Sequence, residues 1–257
     1  MSIEETIIGF EKSFKEKNYY NKQTQDNNHL NKIIECLNIK DNMKILDLGT
    51  GSGYLAFNIA KKYNNVTIIG LDIVKETLER NKEKAKENNI SNISFVSYDG
   101  IEFPFDNKTF DMVITRYALH HFPNLDKTFN EIDRVLKNNG LLFISDPKPN
   151  DIDINRFVDK YMQKKKDGHI KFYTKEEFIS LANKYNFKLV DSFDTEITFP
   201  RILESKDQYD DILNSCSKDI LESYNVNIKD NEIWITEKVN NLLFEKEWLK
   251  WKYTKLK

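Results

Sequence analysis

The chain has 257 residues, and its 39 basic side chains nearly cancel its 41 acidic ones, leaving a formal net charge of −2. No global field therefore favours nucleic acid or an anionic membrane. Cys36 and Cys216 lie far apart with no CxxC pair, which points to a reduced, cytoplasmic setting and away from structural zinc or any other metal.

Residues 1–20 are charged and show no signal-peptide core, and no apolar run approaches the ~20 residues of a membrane-spanning helix. The length suits one large α/β domain with a decorated end. Ile3, Ile7, Phe10 and Phe14 predict a first amphipathic helix, and Leu30, Ile33, Ile34 and Leu37 a second, across an asparagine-rich break at 18–28. Strands are expected at Lys44–Leu48, Val66–Leu71, Ile93–Ser97, Asp111–Thr115 and Leu141–Ser145. Helices alternate with them at Gly53–Lys62, Lys75–Glu87 and Asp126–Leu136, and Asn138-Asn139-Gly140 reads as the last helix's C-cap and turn. Such alternation predicts a mostly parallel sheet covered by helices on both faces.

After Asp146 the pattern changes. Helices are expected over Asp153–Lys166 and Thr174–Tyr185, the second opened by a Thr174/Glu177 capping box. Strand-like runs at Phe187–Phe199 and Glu232–Phe244 flank a helix over Lys206–Tyr224 and fit an antiparallel pair at one sheet edge. The simplest organisation is one domain: a helical lid (1–40), a cofactor-binding core (41–146), and lid helices with edge strands (147–257).

Asp47-Leu-Gly-Thr-Gly-Ser-Gly-Tyr54 joins the first strand to a helix. Gly49, Thr50, Gly51 and Gly53 form a turn whose backbone N–H groups can approach a ligand closely, since glycine has no Cβ. Asp47 can receive a ligand ammonium. A dinucleotide fingerprint would place its third glycine at position 54 to seat a pyrophosphate; tyrosine there disfavours a nicotinamide dehydrogenase and suits S-adenosylmethionine. Asp72 ends the second strand and can accept both ribose hydroxyls, with Ile73 packing on adenine. Asp99 after the third strand can accept from the adenine amine, while Gly100 and Ile101 give space and apolar cover. Each feature alone can be a turn or an N-cap. Three at successive strand ends, at the carboxyl edge where α/β sheets bind ligands, form a constellation.

These residues resemble the class I S-adenosylmethionine-dependent methyltransferases, in particular the ubiquinone/menaquinone-biosynthesis type (methyltransferase type 11). The resemblance rests on Ile45–Gly53, Gly70-Leu-Asp72, Asp99-Gly100, Phe103-Pro-Phe105 with Phe110-Asp111, Arg116-Tyr-Ala-Leu-His-His-Phe-Pro123 and Arg134-Val-Leu-Lys-Asn-Asn-Gly140. It covers roughly residues 40–150. It implies a Rossmann-like, seven-stranded, mostly parallel sheet with a reversed last strand. It also implies S-adenosyl-L-methionine as cofactor and S-adenosyl-L-homocysteine as product. Backbone carbonyls near Thr115 and Arg116 are then expected to hold the methionine ammonium. The Arg116 side chain can hold a carboxylate or sit in a surface ion pair. The family often closes the cofactor with an N-terminal tyrosine, here Tyr19 or Tyr20, though helix-end packing suits them equally. Some members that methylate hydroxyls pair a histidine after the fourth strand with an aspartate at the end of the fifth; the matching positions are His120 and Asp146. His121 is the neighbouring candidate, and His-His-Phe also serves simply as packing.

Methyl transfer from a sulfonium is an in-line displacement with a neutral leaving group, so alignment and water exclusion matter most. The expected function is transfer to a small molecule, with no nucleic-acid or membrane partner, by a monomer or homodimer. RNA or protein methylation is disfavoured, because Thr115-Arg-Tyr-Ala118 replaces the Asn/Asp-Pro-Pro-Tyr motif of nitrogen methylation of that kind and no basic module is present. A cofactor-binding protein without turnover stays open. Arg156, His169 and Arg201 can contact an anionic substrate or bridge helices. Lys164–Lys166 read as a solvated helix end, and Trp234, Trp248 and Trp251 as packing.

Overall fold

Residues 3–15, 26–164, 167–202, 207–229 and 232–247 are described by the computed structural model. Tyr19, Tyr20, Lys165, Lys166, Trp248 and Trp251 lie outside the described residues. The sheet centre is β1 (Lys44–Leu48), buried from Ile45 onward. It pairs in parallel with β2 (Thr67–Asp72) on one side and β4 (Phe110–Arg116) on the other. β3 (Ile93–Ser97) continues beyond β2, and β5 (Leu136–Lys148) beyond β4, all parallel. β8 (Glu232–Lys246) then enters antiparallel between β5 and the edge strand β6 (Phe187–Ile202). The order is β3-β2-β1-β4-β5-β8-β6.

Seven strands make this path, with the last in sequence reversed as expected. The short β7 (Asn227–Lys229) is an eighth, pairing with β8 off the path. Pro200 is tolerated late in β6 because an edge strand need not donate outward.

Alternate side chains separate two apolar faces, as the period of a strand requires. Leu46, Leu48 and Val113 pack with Phe129, Ile132 and Phe178 on one face. Those last three belong to α5 (Leu125–Val135) and α7 (Lys175–Lys184). Ile45, Met112 and Ile114 pack on the other with Ile33, Leu37, Leu55 and Ile59, from α2 (Asn27–Leu37) and α3 (Tyr54–Lys62). α4 (Lys75–Glu87) covers β2 and β3 through Leu78 and Phe95. A third core, with Phe157, Tyr161, Phe172, Tyr224, Ile233 and Ile235, lies under the late region. No helix among the described residues is long and apolar enough to cross a membrane.

Several elements depart from the sequence reading for local reasons. The helix expected over Asp153–Lys166 is confined to α6 (Phe157–Gln163). Asp153 takes the N–H groups of Phe157 and Val158, and Arg156 is left-handed at φ 58°, so no helix runs through them. The helix expected over Lys206–Tyr224 is two, α8 (Asp210–Asn214) and α9 (Lys218–Ser223), parted where Ser217 turns extended. Asn138-Asn139-Gly140 does not cap α5: Leu136 is already extended, and Asn139 (φ 59°) bends the long β5 from within. The Thr174 capping box forms in full, with Glu177 N–H donating to Thr174 Oγ1 at 3.2 Å and Thr174 N–H to Glu177 Oε2 at 2.8 Å.

Two of the matched motifs turn out to be braces. Arg134 donates to the carbonyls of Phe105 (2.6 Å) and Phe103 (2.9 Å) and to both Glu131 oxygens (2.8 and 2.6 Å). It ties the Phe103-Pro-Phe105 loop to α5. Arg134→Ala is expected to cost about 2 kcal/mol in urea unfolding, since two carbonyls and a carboxylate lose a charged donor in a half-buried setting.

Candidate functional site

The strand order reverses between β1 and β4, which opens a crevice at their carboxyl ends. The Gly49–Gly53 loop crosses it, anchored by Gly49 and Thr50 N–H groups that both donate to Leu71 O (2.8 and 3.1 Å). The two glycines that open the motif differ in purpose. Both are left-handed, at φ 67° and 49°. A Cβ on Gly49 would lie 2.5 Å from Ala118 Cβ, so this position is demanded by close packing. A Cβ on Gly51 meets nothing within 4 Å, because Gly51 borders the cavity itself. Gly49→Ala is therefore expected to lower the melting temperature by several degrees. Gly51→Ala carries a backbone cost of only about 1–2 kcal/mol but projects a methyl group where a ligand would lie. Thermal melts beside ligand titrations of the two variants check this contrast.

The cavity has a volume of about 150 Å³ and an open mouth. Gly49, Thr50, Gly51, Asp72, Ile73, Gly100, Arg116 and His121 all line it. The carboxylate of Asp72 accepts from Gly51 N–H (2.8 Å) and Val74 N–H (2.9 Å), which fixes it at the cavity wall; burial pushes its carboxyl up and these bonds pull it back. Other predicted residues stand outside the lining. Asp47 sits behind Thr50, whose Oγ1 donates to it at 2.7 Å, and burial raises its carboxyl to about 7. Gly53 caps α3. Asp99 accepts from the N–H groups of Ile101 (2.8 Å) and Glu102 (3.0 Å), and those bonds hold its carboxyl low. Ile101 is exposed. Tyr20 lies outside the described residues.

Several lining residues are not among those the sequence points to, Tyr54, Tyr98, Ile3, Thr6 and Phe10 among them. Tyr54 and Tyr98 were adjacent to predicted positions, and their bulk beside a glycine turn and an acidic strand end was a usable signal. Ile3, Thr6 and Phe10 come from α1 (Ile3–Lys15), which lies over the mouth. The helix was legible, but where it docks was not.

At the end of β4, the Arg116 guanidinium carbon lies 4.0 Å from the Tyr117 ring centroid and 4.8 Å from that of Tyr54. Tyr117 is left-handed at φ 54°, a costly conformation for a bulky residue. The next residues form one 3-10 turn, Leu119–His121. His120 turns inward: its Nδ1 is 2.6 Å from Asp146 Oδ1, and its N–H donates to Asp146 Oδ2 at 3.1 Å. Burial raises the Asp146 carboxyl to about 8. His121 faces the cavity, edge-on to Phe10 at 4.8 Å. Its ring reaches the Gly168 backbone, although neither nitrogen makes a hydrogen bond of good geometry among the described residues. Burial, then the neighbouring His120, lowers its pKa to about 3, so the ring is neutral at physiological pH. His169, whose Nε2 is 2.9 Å from Asp159, stacks 5.4 Å from His120. Arg156 closes that cluster on Asp159 at 2.6 Å, so it bridges elements of the lid.

The arrangement fits S-adenosylmethionine. A fixed carboxylate suits vicinal hydroxyls, Ile73 and Tyr98 suit a flat ring, Arg116 suits a carboxylate, and Gly51 leaves backbone approach open. Tyr54 lines the cavity at the start of α3. No group of metal-ligating side chains occurs among the described residues.

These features define an α/β protein with a nucleoside-binding cleft of the S-adenosylmethionine type. Residues 39–215 match the family described as a methyltransferase domain, and the chain belongs to that family. It is 27% identical over 171 residues to the uncharacterized methyltransferase YcgJ of Bacillus subtilis (strain 168), covering 65% of this chain and 66% of that protein. It is 34% identical over 113 residues to the ubiquinone/menaquinone biosynthesis C-methyltransferase UbiE of Rickettsia prowazekii (strain Madrid E), covering 42% of this chain and 45% of that one. The chain thus spans between about half and two thirds of the length of these curated relatives. The crystal structure of the YcgJ protein from Bacillus subtilis superposes with a TM-score of 0.74 at 22% identity, covering 87% of this chain and 100% of the other. The Rossmann-like fold is the expected one.

Proposed function

We propose that the protein transfers the methyl group of S-adenosylmethionine to a small-molecule acceptor by in-line displacement. In this reading Gly51, Asp72, Ile73, Gly100 and Arg116 hold the cofactor. Thr50 shapes the turn with Asp47 and Gly53 behind it, and Asp99 and Ile101 stand at its adenine end. The residues of the chain align the acceptor and exclude water, while the bound cofactor supplies the electrophilic methyl. Of the candidate catalytic residues, His121 meets the acceptor space, and His120 with Asp146 supports it from behind.

One observation carries the small-molecule part: α1 roofs the cleft, with Ile3, Thr6 and Phe10 in its lining. A roofed donor site admits a small acceptor more readily than a base in a folded RNA or a side chain in a folded protein. The near-neutral overall charge agrees with that.

The experiment has two stages. Isothermal titration with S-adenosylmethionine should give one site per chain. Incubation with methyl-labelled cofactor and a cell extract split by size should then place label in the low-mass fraction. Absence of binding by folded protein would end the proposal. Label in the RNA or protein fraction would replace the acceptor class, and binding without S-adenosylhomocysteine release from any fraction would mark a non-catalytic binder.

A further inference from the structure

The first turn of α2 reaches the cleft through two tyrosines. Arg116, at the end of β4, lies over the rings of Tyr54 and Tyr117, and all three residues line the cavity. The Tyr54 hydroxyl donates to the carbonyl of Asp26, the N-cap of α2, at 3.3 Å. The Tyr117 hydroxyl lies 3.5 Å from Nδ1 of His29, in the same turn. His29 is 3% exposed and tied to the sheet. Its Nε2 is 2.8 Å from Asn241 Oδ1 on β8, and Asn241 Nδ2 donates to Thr195 Oγ1 on β6 at 3.0 Å. The Asn241 oxygen is thus an acceptor, so the ring proton sits on Nε2 and Nδ1 is left to accept from Tyr117. Burial lowers the His29 pKa, which keeps the ring neutral and Nδ1 an acceptor. With its proton turned to His29, the Tyr117 hydroxyl offers a lone pair to Arg116, to which it also bonds. Tyr117 keeps this place in left-handed backbone, its N–H donating to Ser145 O at 2.8 Å. A bulky residue seldom holds such a conformation unless its surroundings impose it.

A guanidinium stacked on rings keeps its N–H donors in its own plane, the geometry that takes a carboxylate side-on through paired bonds. Asp47 acts on Arg116 from behind Thr50, so the clamp selects by donor geometry and not by surplus charge. We infer that His29 is a positioning residue of the cofactor site: through Tyr117, and with Asp26 steadying Tyr54, it sets Arg116 to hold the carboxylate of the methionine tail. This rests on the methyl-transfer reading above. It extends the site to α2, whose residues do not line the cavity. His29 takes no part in the bond changes at the methyl group; its effect is on affinity for the tail.

The test compares S-adenosylhomocysteine with 5′-methylthioadenosine on the whole protein by isothermal titration. The second ligand keeps the thioether nucleoside and lacks the amino-acid tail, so the ratio of the two affinities measures tail recognition. Arg116→Met should lower that ratio at least about tenfold. His29→Ala and Tyr117→Phe should each lower it severalfold while 5′-methylthioadenosine binds as in the wild type, which also reports folding. Tyr117→Phe keeps the ring and tests the same link should His29→Ala fail to fold. His29→Asn, whose Oδ1 can stand where Nδ1 stands, should recover much of the loss. In an Arg116→Met background, His29→Ala should change the ratio no further, since it acts through Arg116. A ratio unchanged in Arg116→Met would place the carboxylate elsewhere and overturn the inference. Parallel loss of both ligands in His29→Ala and Tyr117→Phe, the mark of a purely structural role, would overturn it too, as would a full further loss on top of Arg116→Met. Binding of neither ligand by folded wild-type protein would instead remove the cofactor reading itself.

Discussion

Asp72→Ala is expected to fold and to lose S-adenosylmethionine affinity by roughly two orders of magnitude. The carboxylate does two things at once. Each oxygen takes one backbone N–H, from Gly51 and Val74, and so fixes the loop and the start of α4 at the cavity wall. The lone pairs left over are available to a pair of ligand hydroxyls. Charge-assisted hydrogen bonds contribute about 1.5–3 kcal/mol each, and two at the lower end of that range, as suits a site open to water, give a factor near one hundred. The freed N–H groups border an open-mouthed cavity, where water can satisfy them, and the stability loss stays small. Asp72→Asn keeps one acceptor and should lose about tenfold. Isothermal titration of the three proteins, with thermal melts as the folding control, decides it. Undiminished affinity in Asp72→Ala would show that the cofactor lies elsewhere.

The parts of the fold legible in the sequence are those where local pattern and tertiary setting agree. β1 to β4 are apolar runs between helices of clear period, and each lies within a residue or two of its expected range. The Gly49–Gly53 turn was readable because backbone geometry permits little else there. Asp99 shows where such reading stops. An acid after a strand can face a ligand or cap the next turn; here its oxygens take the Ile101 and Glu102 N–H groups, and nothing in the residue type separates the two outcomes. The His120–His121 pair illustrates a second limit. In a 3-10 turn successive side chains are set about 120° apart, so one histidine reaches Asp146 while its neighbour faces the cavity. Which one does which depends on the turn's phase against β5. The late region was least legible because its breaks come from side chains acting on backbone, as Asp153 does on Phe157 and Val158.

The same histidine turn yields the other large effect. Asp146→Asn is expected to match the wild type in stability below about pH 4 and to exceed it by several degrees in melting temperature near pH 8. Burial raises the folded-state carboxyl to about 8, against about 4 in an unfolded chain. A carboxyl raised on folding contributes fully below about pH 4, and that contribution is lost as the pH climbs towards 8, at up to about 1.4 kcal/mol per unit. Asparagine reproduces the neutral form: its NH2 can donate to His120 Nδ1 as the protonated carboxyl would, and its oxygen can accept from His120 N–H. It carries no proton to lose, so the slope from this position vanishes. Asp47, raised to about 7 by burial, keeps its own slope of the same sign in both proteins and cancels in the difference. Asp146→Ala leaves both His120 groups unpaired and should cost about 3 kcal/mol at every pH. Should Asp146→Asn instead be destabilised equally from pH 5 to 8, the pair is an ionised aspartate against an imidazolium. The proton between them then sits on His120, and that histidine already holds the charge a general base would have to acquire.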